Sequence, residues 1–379
     1  MKISLVHDYL NEWGGAEVVL KTLSEMWPEA PIYTAFAVPG SSAKKAFAGR
    51  KIITSWMQWV PGYKYLYSPF RFLIPWVWKY FDLKEYDVII SSASWFVTKG
   101  FDKKPGAIEV CYCHTPPRWL YGYETSVNWK KWRIVRVYAL IVGHFLRMYD
   151  FGRAQKVDVF VANSRNVAER IKKFYRKEAV VIYPPITPPS APPHNSKNQK
   201  DSSLLTSVAV SGEKKDYYLM VTRIVGGKGI ELAVEAAKKY GFKLKVAGEM
   251  TGYKKLSITN FQFLGRVSEN EKFKLMAEAK AFLALSKDED FGITPVEAQA
   301  CGTPVIAFNG GGYKETVVDG KTGVLFDDYS VKGLYEAIRR MGRMRLNRTD
   351  IEKNAERFSE ERFKKKMLEL VSKYGHTGR

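Results

Sequence analysis

Glu289 and Glu297 close the stretch Glu-Asp-Phe-Gly-Ile-Thr-Pro-Val-Glu, two carboxylates eight residues apart around a Phe-Gly turn and a helix start. Carboxylates only accept hydrogen bonds, so such a pair suits hydroxyl-rich ligands, one residue for a hexose and the other for a ribose. Thr294-Pro-Val-Glu297 also reads as a capping box with Pro295 at the first helical position, which would account for Thr294, Pro295 and Glu297 but not for Glu289. A second constellation, Thr222-Arg223-Ile-Val-Gly-Gly-Lys228-Gly229, sets two cations at another helix start. Arg223 offers a planar fork to phosphate oxygens, Lys228 a point charge, and the helix terminus unpaired N–H groups, together a diphosphate cradle. Alone it could equally be a solvated basic turn.

Two more segments could do chemistry. His7-Asp8-Tyr9 leads through a loop to Gly14-Gly15-Ala-Glu17 ahead of a helix, where paired glycines let backbone approach a ligand. The pair lacks the three spaced glycines of a dinucleotide site, and a plain tight turn is the competing reading. Cys111-Tyr-Cys113-His114-Thr-Pro-Pro follows a strand end. Its Thr-Pro-Pro turn is expected to project His114 from the sheet edge into a cleft, where it could bond a sugar hydroxyl or relay a proton. No second ligand pair accompanies Cys113 and His114, so zinc fits poorly. Asp288-Glu289-Asp290 superficially offers an Asp-x-Asp metal motif, without the surroundings that such a motif needs.

The elements that must position these residues alternate. Short β-type apolar runs at 2–6, 31–35, 87–92, 108–113 and 158–163, then at 217–222, 243–247, 261–264, 281–285, 304–307 and 324–326, are separated by amphipathic helical segments. That is the pattern of βα units around parallel sheets, and it predicts two doubly wound Rossmann-like α/β domains facing across a cleft. Ligands then bind beyond the carboxyl ends of the strands. The expected divisions are 1–186, a proline- and serine-rich linker with an exposed loop at 187–215, a second domain at 216–355, and a C-terminal amphipathic helix within 356–379.

A length of 379 residues with 46% apolar content fits two globular domains. Three cysteines make neither a disulfide framework nor a zinc site and point to a reducing cytoplasm. The opening residues read as a buried strand, and the apolar run 137–146 is too short to span a bilayer. A net charge of +21, spread over both halves, favours anionic partners. Between Ile52 and Phe81 stand eleven aromatics and three bases with no acid. That composition suits the headgroup layer of an anionic membrane, an apolar acceptor groove or a domain core, and no recognition motif for nucleic acid accompanies it.

These segments, with Val161-Ala-Asn-Ser164, Gly265-Arg266-Val267 and Gly310-Gly-Gly-Tyr-Lys-Glu315-Thr316, resemble the family 4 glycosyltransferases of the GT-B fold over nearly the whole chain. The nearest likeness is to mannosyltransferases of O-antigen and exopolysaccharide assembly. The resemblance implies that Arg223 and Lys228, with Gly14, Gly15, Ile293 and Thr294, hold the donor diphosphate. It implies that Glu289, with Phe291 and Gly292, orients the transferred sugar, that His114 touches that sugar from the other domain, and that Glu297 binds the ribose. The Arg266-Val267 backbone would read the base, and the C-terminal helix would cross back to the first domain. The implied activity is retaining hexosyl transfer without cofactor or metal, first from GDP-mannose and next from a UDP-hexose, to a lipid-linked saccharide at the inner face of the membrane. The alternatives are a sugar phosphorylase or epimerase of the same fold, or a non-catalytic basic protein that binds membrane or nucleic acid.

Overall fold

The computed structural model describes residues 1–125, 133–186, 214–223, 226–249 and 260–375. The chain divides into two compact units, Met1–Pro185 with Glu360–Arg379, and Ile186–Ser359. Most of the proline-rich segment expected at 187–215 lies outside the described residues, and Lys215 already opens a strand.

The first unit is built on seven strands: β1 (Ile3–His7), β2 (Ile32–Thr34), β3 (Ile52–Thr54), β4 (Val88–Ala93), β5 (Ile108–Cys113), β6 (Val159–Ala162) and β7 (Ala179–Val181). They lie in the order β3-β2-β1-β4-β5-β6-β7, every pair parallel. A central strand covered by helices on both faces is buried from end to end, and β4 is, its two polar side chains, Ser91 and Ser92, being hydrogen-bonded to buried Glu109 and His114. The strand order reverses between β1 and β4, the place where doubly wound sheets open a crevice. Phe363, Met367, Leu370 and Val371 recur at helical spacing on the helix Glu360–Gly375 and pack into the core of this unit with Leu5, Val19 and Tyr112.

The second unit carries β8 (Lys215–Val221), β9 (Leu244–Ala247), β10 (Phe261–Gly265), β11 (Ala279–Ala284), β12 (Val305–Phe308) and β13 (Gly323–Phe326). Their order is β10-β9-β8-β11-β12-β13, again all parallel, with the reversal between β8 and β11. Eleven of these thirteen strands answer the runs read from the sequence; β3 and β7 were not expected. Both have three residues, and β3 and β7 are the two edges of their sheet.

The aromatic window folds into short turns and helices at Trp56–Trp59, Tyr63–Leu66, Arg71–Leu73 and Ile74–Lys79. Its rings divide: Trp78 is buried and Tyr63, Tyr67 and Phe81 pack against the core, whereas Trp59, Tyr65, Trp76 and Tyr80 are exposed.

Candidate functional site

In the second unit, chemistry gathers where β8 and β11 diverge. The loop after β8 carries Arg223, exposed to solvent, and Lys228 before the helix Ile230–Tyr240. Gly229 adopts φ +74°, and a Cβ there would lie 2.5 Å from both Cβ and O of Leu285. Only glycine lets the two neighbouring strand ends come this close. Across that contact, Lys228 Nζ donates to Glu289 Oε2 at 2.8 Å, both side chains partly buried. The two residues are 61 apart in sequence, and adjacent strands at the reversal join them.

The glycine triplet completes the cradle. Gly311 sits at φ +53° with its would-be Cβ 2.2 Å from the Glu289 carbonyl oxygen, and Gly312 N–H donates to that oxygen at 2.8 Å. This close packing brings in Tyr313, whose hydroxyl donates to Glu289 Oε2 at 3.4 Å. Burial first, and the Glu289 carboxylate second, push the Tyr313 hydroxyl well above its usual value, so it stays a donor.

The capping-box reading of Thr294 and Glu297 is overturned. The helix runs Ile293–Ala300 with Gly292 at its N-cap and no side-chain cap bond, so Glu297 lies in the second turn, not the first. Instead Glu297 Oε1 accepts from Lys272 Nζ at 3.0 Å, and Lys272 also meets Glu269 at 2.7 Å. Glu297 Oε2 is out of contact with solvent and has no hydrogen-bond partner. Burial raises the Glu297 carboxyl above its ordinary value, with Lys272 only partly opposing it. The helix itself is clamped by Gln299, which donates to the carbonyls of Pro295 and Thr316 and accepts from Asn354 at 2.7 Å. Arg266 is exposed in the loop after the edge strand β10, two strands from β8, and Val267 packs partly against the core. Ile293 and Thr294 open the Glu297 helix, with Phe291 buried just before them. Among the described residues no three His, Cys, Asp or Glu side chains gather into a group that could hold a metal ion. Asp288 and Asp290 therefore form no ligand cluster with Glu289.

The first unit carries its own polar centre. Gly14 is the N-cap of the helix Gly15–Met26 in extended backbone, and no side chain caps it. Asp8 spans the reversal: it accepts from the amides of Ser94, Trp95 and Phe96, the Ser94 hydroxyl at 2.9 Å, and the Thr98 hydroxyl. The loop it holds contains Val97 at φ 57°, a conformation costly for a β-branched residue. Asp8 is thus an anchor for the β4 loop. His114 does not project openly; it is 9% exposed and its Nε2 lies 2.8 Å from Ser92 Oγ. Cys111, Cys113 and Cys301 are buried thiols outside any disulfide, and burial pushes Cys111 up.

Sequence reasoning missed Lys272 and Tyr313. Lys272 stands three residues after Glu269, a spacing common for surface pairs on a helix, whereas Tyr313 directly follows three glycines that pack against the backbone of the loop holding Glu289.

Two parallel doubly wound sheets, of seven and six strands, match solved structures of the GT-B class of glycosyltransferase folds. Residues 13–188 match the model "Glycosyltransferase Family 4" and residues 206–358 the model "Glycosyl transferases group 1"; the chain belongs to these family 4 glycosyltransferases. An uncharacterized glycosyltransferase of Methanocaldococcus jannaschii is 30% identical over 181 residues, 43% of this chain and 52% of that one. The alpha-1,3/1,6-mannosyltransferase of Dictyostelium discoideum is 27% identical over 285 residues, 65% of this chain and 64% of that one. The matches therefore span between about half and just under two thirds of these relatives' lengths. Among solved structures, the Anabaena protein HepE in complex with UDP and glucose shares the fold with a TM-score of 0.65 at 18% identity, over 98% of this chain and 99% of that one.

Proposed function

We propose that this chain is a retaining hexosyltransferase that moves mannose from GDP-mannose to a lipid-linked saccharide. The observation that carries the reading is the Lys228–Glu289 contact at the β8/β11 reversal. Breaking a sugar–phosphate bond develops negative charge on the departing diphosphate and positive charge at the anomeric carbon. A preorganised ammonium on one side and a carboxylate at the sugar lower that barrier together. Donor binding would divide the resting pair, Lys228 turning to phosphate with Arg223, and Glu289 to sugar hydroxyls beside the Phe291-Gly292 backbone. A ribose hydroxyl would fill the open acceptor of Glu297 Oε2 after displacing the side chains that cover it. Mannose is favoured by the likeness to a mannosyltransferase.

The protein supplies cations of its own, so we further propose that no divalent metal takes part. A screen of labelled nucleotide sugars for donor hydrolysis, run in excess chelator, tests both statements. GDP-mannose is expected to be turned over at the same rate with and without chelator. Turnover of a UDP-hexose alone would replace the donor, and loss of activity restored by manganese would remove the metal-free reading. Release of sugar 1-phosphate, or an isomerised donor, would favour a phosphorylase or an epimerase instead.

A membrane-facing acceptor is supported by a surface that the sequence did not reveal. On the helix Arg133–Gln155, Val142, Leu146 and Tyr149 face the core, while Val137, Leu140, Ile141, Phe145 and Met148 are exposed on the other side. Tyr138 donates to the Pro69 carbonyl, which ties this helix to the aromatic window, where Trp76 and Tyr80 are also exposed. Arg133 and Arg136 stand exposed at the start of the helix, and no helix among the described residues is long and apolar enough to cross a membrane. An apolar stripe flanked by cations fits the headgroup layer of an anionic bilayer at its cytoplasmic face. In vesicle flotation, the protein is expected to bind phosphatidylglycerol-containing vesicles more strongly than phosphatidylcholine alone. Leu140→Glu with Phe145→Glu should weaken that binding by about 10-fold or more, since each removes a ring or branched chain worth about 1.5–3 kcal/mol when buried. Equal binding by the variant would show that the stripe is not the docking face.

A further inference from the structure

We propose that Arg71 and the indole N–H of Trp95 form a binding site for a phosphate group at the carboxyl edge of the first sheet. The inference rests on the reading of a lipid-linked acceptor and names the charged group by which the first unit would hold it. Trp95 follows the end of β4 and Trp119 the end of β5, on the side of the sheet where doubly wound folds take ligands. Arg71 opens a short turn, Arg71–Leu73, in the aromatic window. Its Cζ lies 4.8 Å from the centroid of the Trp95 ring and 4.6 Å from that of Trp119. Trp95 is itself held in place: its amide donates to Asp8 Oδ2 at 2.6 Å, and its carbonyl accepts from the Trp119 indole at 3.2 Å. Tyr138, on the helix Arg133–Gln155 that carries the apolar stripe, donates to the carbonyl of Pro69, two residues before Arg71.

Hydrogen-bond capacity points to the ligand. A guanidinium is always protonated and carries five N–H donors in its own plane. Ring faces attract its charge, yet they leave those donors in need of oxygen acceptors. Among the described residues the Arg71 side chain makes one hydrogen bond, from Nη2 to Ser68 Oγ at 2.6 Å. Its Nε is out of contact with solvent and has no hydrogen-bond partner, and the same holds for the indole Nε1 of Trp95. Two orphaned donors on groups that touch one another fit a ligand that only accepts. The charge balance makes that ligand an anion. The window Ile52–Phe81 contains no acid. Burial lowers the Arg71 guanidinium below its ordinary value, and the groups that oppose this are the phenols of Tyr67, Tyr9 and Tyr138, with no carboxylate among them. Phosphate meets both demands, since its oxygens accept from a planar fork and an indole at once and its charge pairs with the cation. Arg71 and Trp95 are each only partly buried, so a turn of the indole ring opens both donors to an incoming ligand.

The readout is the Trp95 indole N–H, followed by 1H–15N correlation on the full chain labelled with 15N-tryptophan, in phosphate-free buffer with ionic strength held constant by sodium chloride. Trp95→Phe keeps a ring and identifies the signal by its loss. Two probes are titrated, inorganic diphosphate and a soluble short-chain phosphatidic acid. The signal is expected to move downfield and to saturate at a lower concentration of phosphatidic acid than of diphosphate, because the helix with the apolar stripe is tied to the Arg71 turn. Arg71→Gln should weaken that binding by about 10-fold or more, the loss expected for one hydrogen bond to a charged group. If Arg71→Gln does not fold, Arg71→Lys keeps the charge, loses the fork, and should bind more weakly than the wild type. A signal that answers to diphosphate as well as to phosphatidic acid would uphold the phosphate site and replace its lipid source by free phosphate. A Trp95 signal moved by neither probe, or equal binding by a folded Arg71 variant, would overturn the proposal. Failure of the transferase reading would show differently, as no sugar nucleotide turned over while the Trp95 signal still answers to phosphate through Arg71.

Discussion

Replacing Lys228 by alanine is expected to lower turnover of the nucleotide-sugar donor by about 100-fold or more, the usual loss when one preorganised charge-stabilising donor is removed. Two effects combine in that number. The departing diphosphate loses a cation, and Glu289 loses the partner that holds it at 2.8 Å. Glu289→Gln, which keeps the shape and the Tyr313 contact, should depress kcat as well, because the carboxylate is assigned to the sugar near the reacting carbon. Since the two residues touch, their losses should not add: the double variant is expected to fall short of the product of the single effects by about 0.5–3 kcal/mol of coupling. Initial rates for the four proteins, with nucleoside diphosphate binding followed by calorimetry, measure this. Unchanged kinetics per folded molecule in both single variants would make the pair structural and remove the central assignment.

Lys272→Met should destabilise the protein by about 3–5 kcal/mol near neutral pH, the loss seen when one member of a buried ion pair is removed. Glu297 would remain in place with neither oxygen paired, since Oε2 has no hydrogen-bond partner even with Lys272 present. The sign of the pH dependence follows. Burial already holds the Glu297 carboxyl above its ordinary value, and Lys272 is what opposes the rise. A carboxyl raised in the folded state stabilises it fully below the ordinary value, about 4.3 for Glu, and that contribution is lost as pH climbs through the raised one. Without Lys272 the rise is larger, so the deficit of the variant should be greatest near neutrality and shrink toward pH 4. Urea unfolding of both proteins across that range checks it. A deficit independent of pH would show that lost packing of the Lys272 stem, and not the charge of Glu297, is responsible.

Much of this molecule was legible in its residues. Alternating apolar runs and helical segments foretold eleven strands and two doubly wound sheets, because strands buried on both faces read as largely apolar runs. β3 and β7 escaped because three residues at a sheet edge need no such run. The carboxylates and cations were found by type and spacing. Their partners were not, because Lys228 meets Glu289, and Lys272 meets Glu297, across gaps that only strand order closes. Thr294 misled for a related reason: the backbone turn at Gly292, at φ +90°, starts the helix before Thr294 can cap it.

By itself, then, the sequence determined the fold class and the kinds of group available, since periodicity and side-chain chemistry are local properties. Tertiary structure decided which groups act on one another. His7, Ser92 and His114 become one hydrogen-bonded line only because β1, β4 and β5 are neighbours. The helix Arg133–Gln155 shows its apolar stripe to solvent only because its other face, with Leu146 and Tyr149, is the one that the core takes up. Distance along a chain carries no information about either outcome, because parallel strands join residues that long crossover connections hold far apart in sequence.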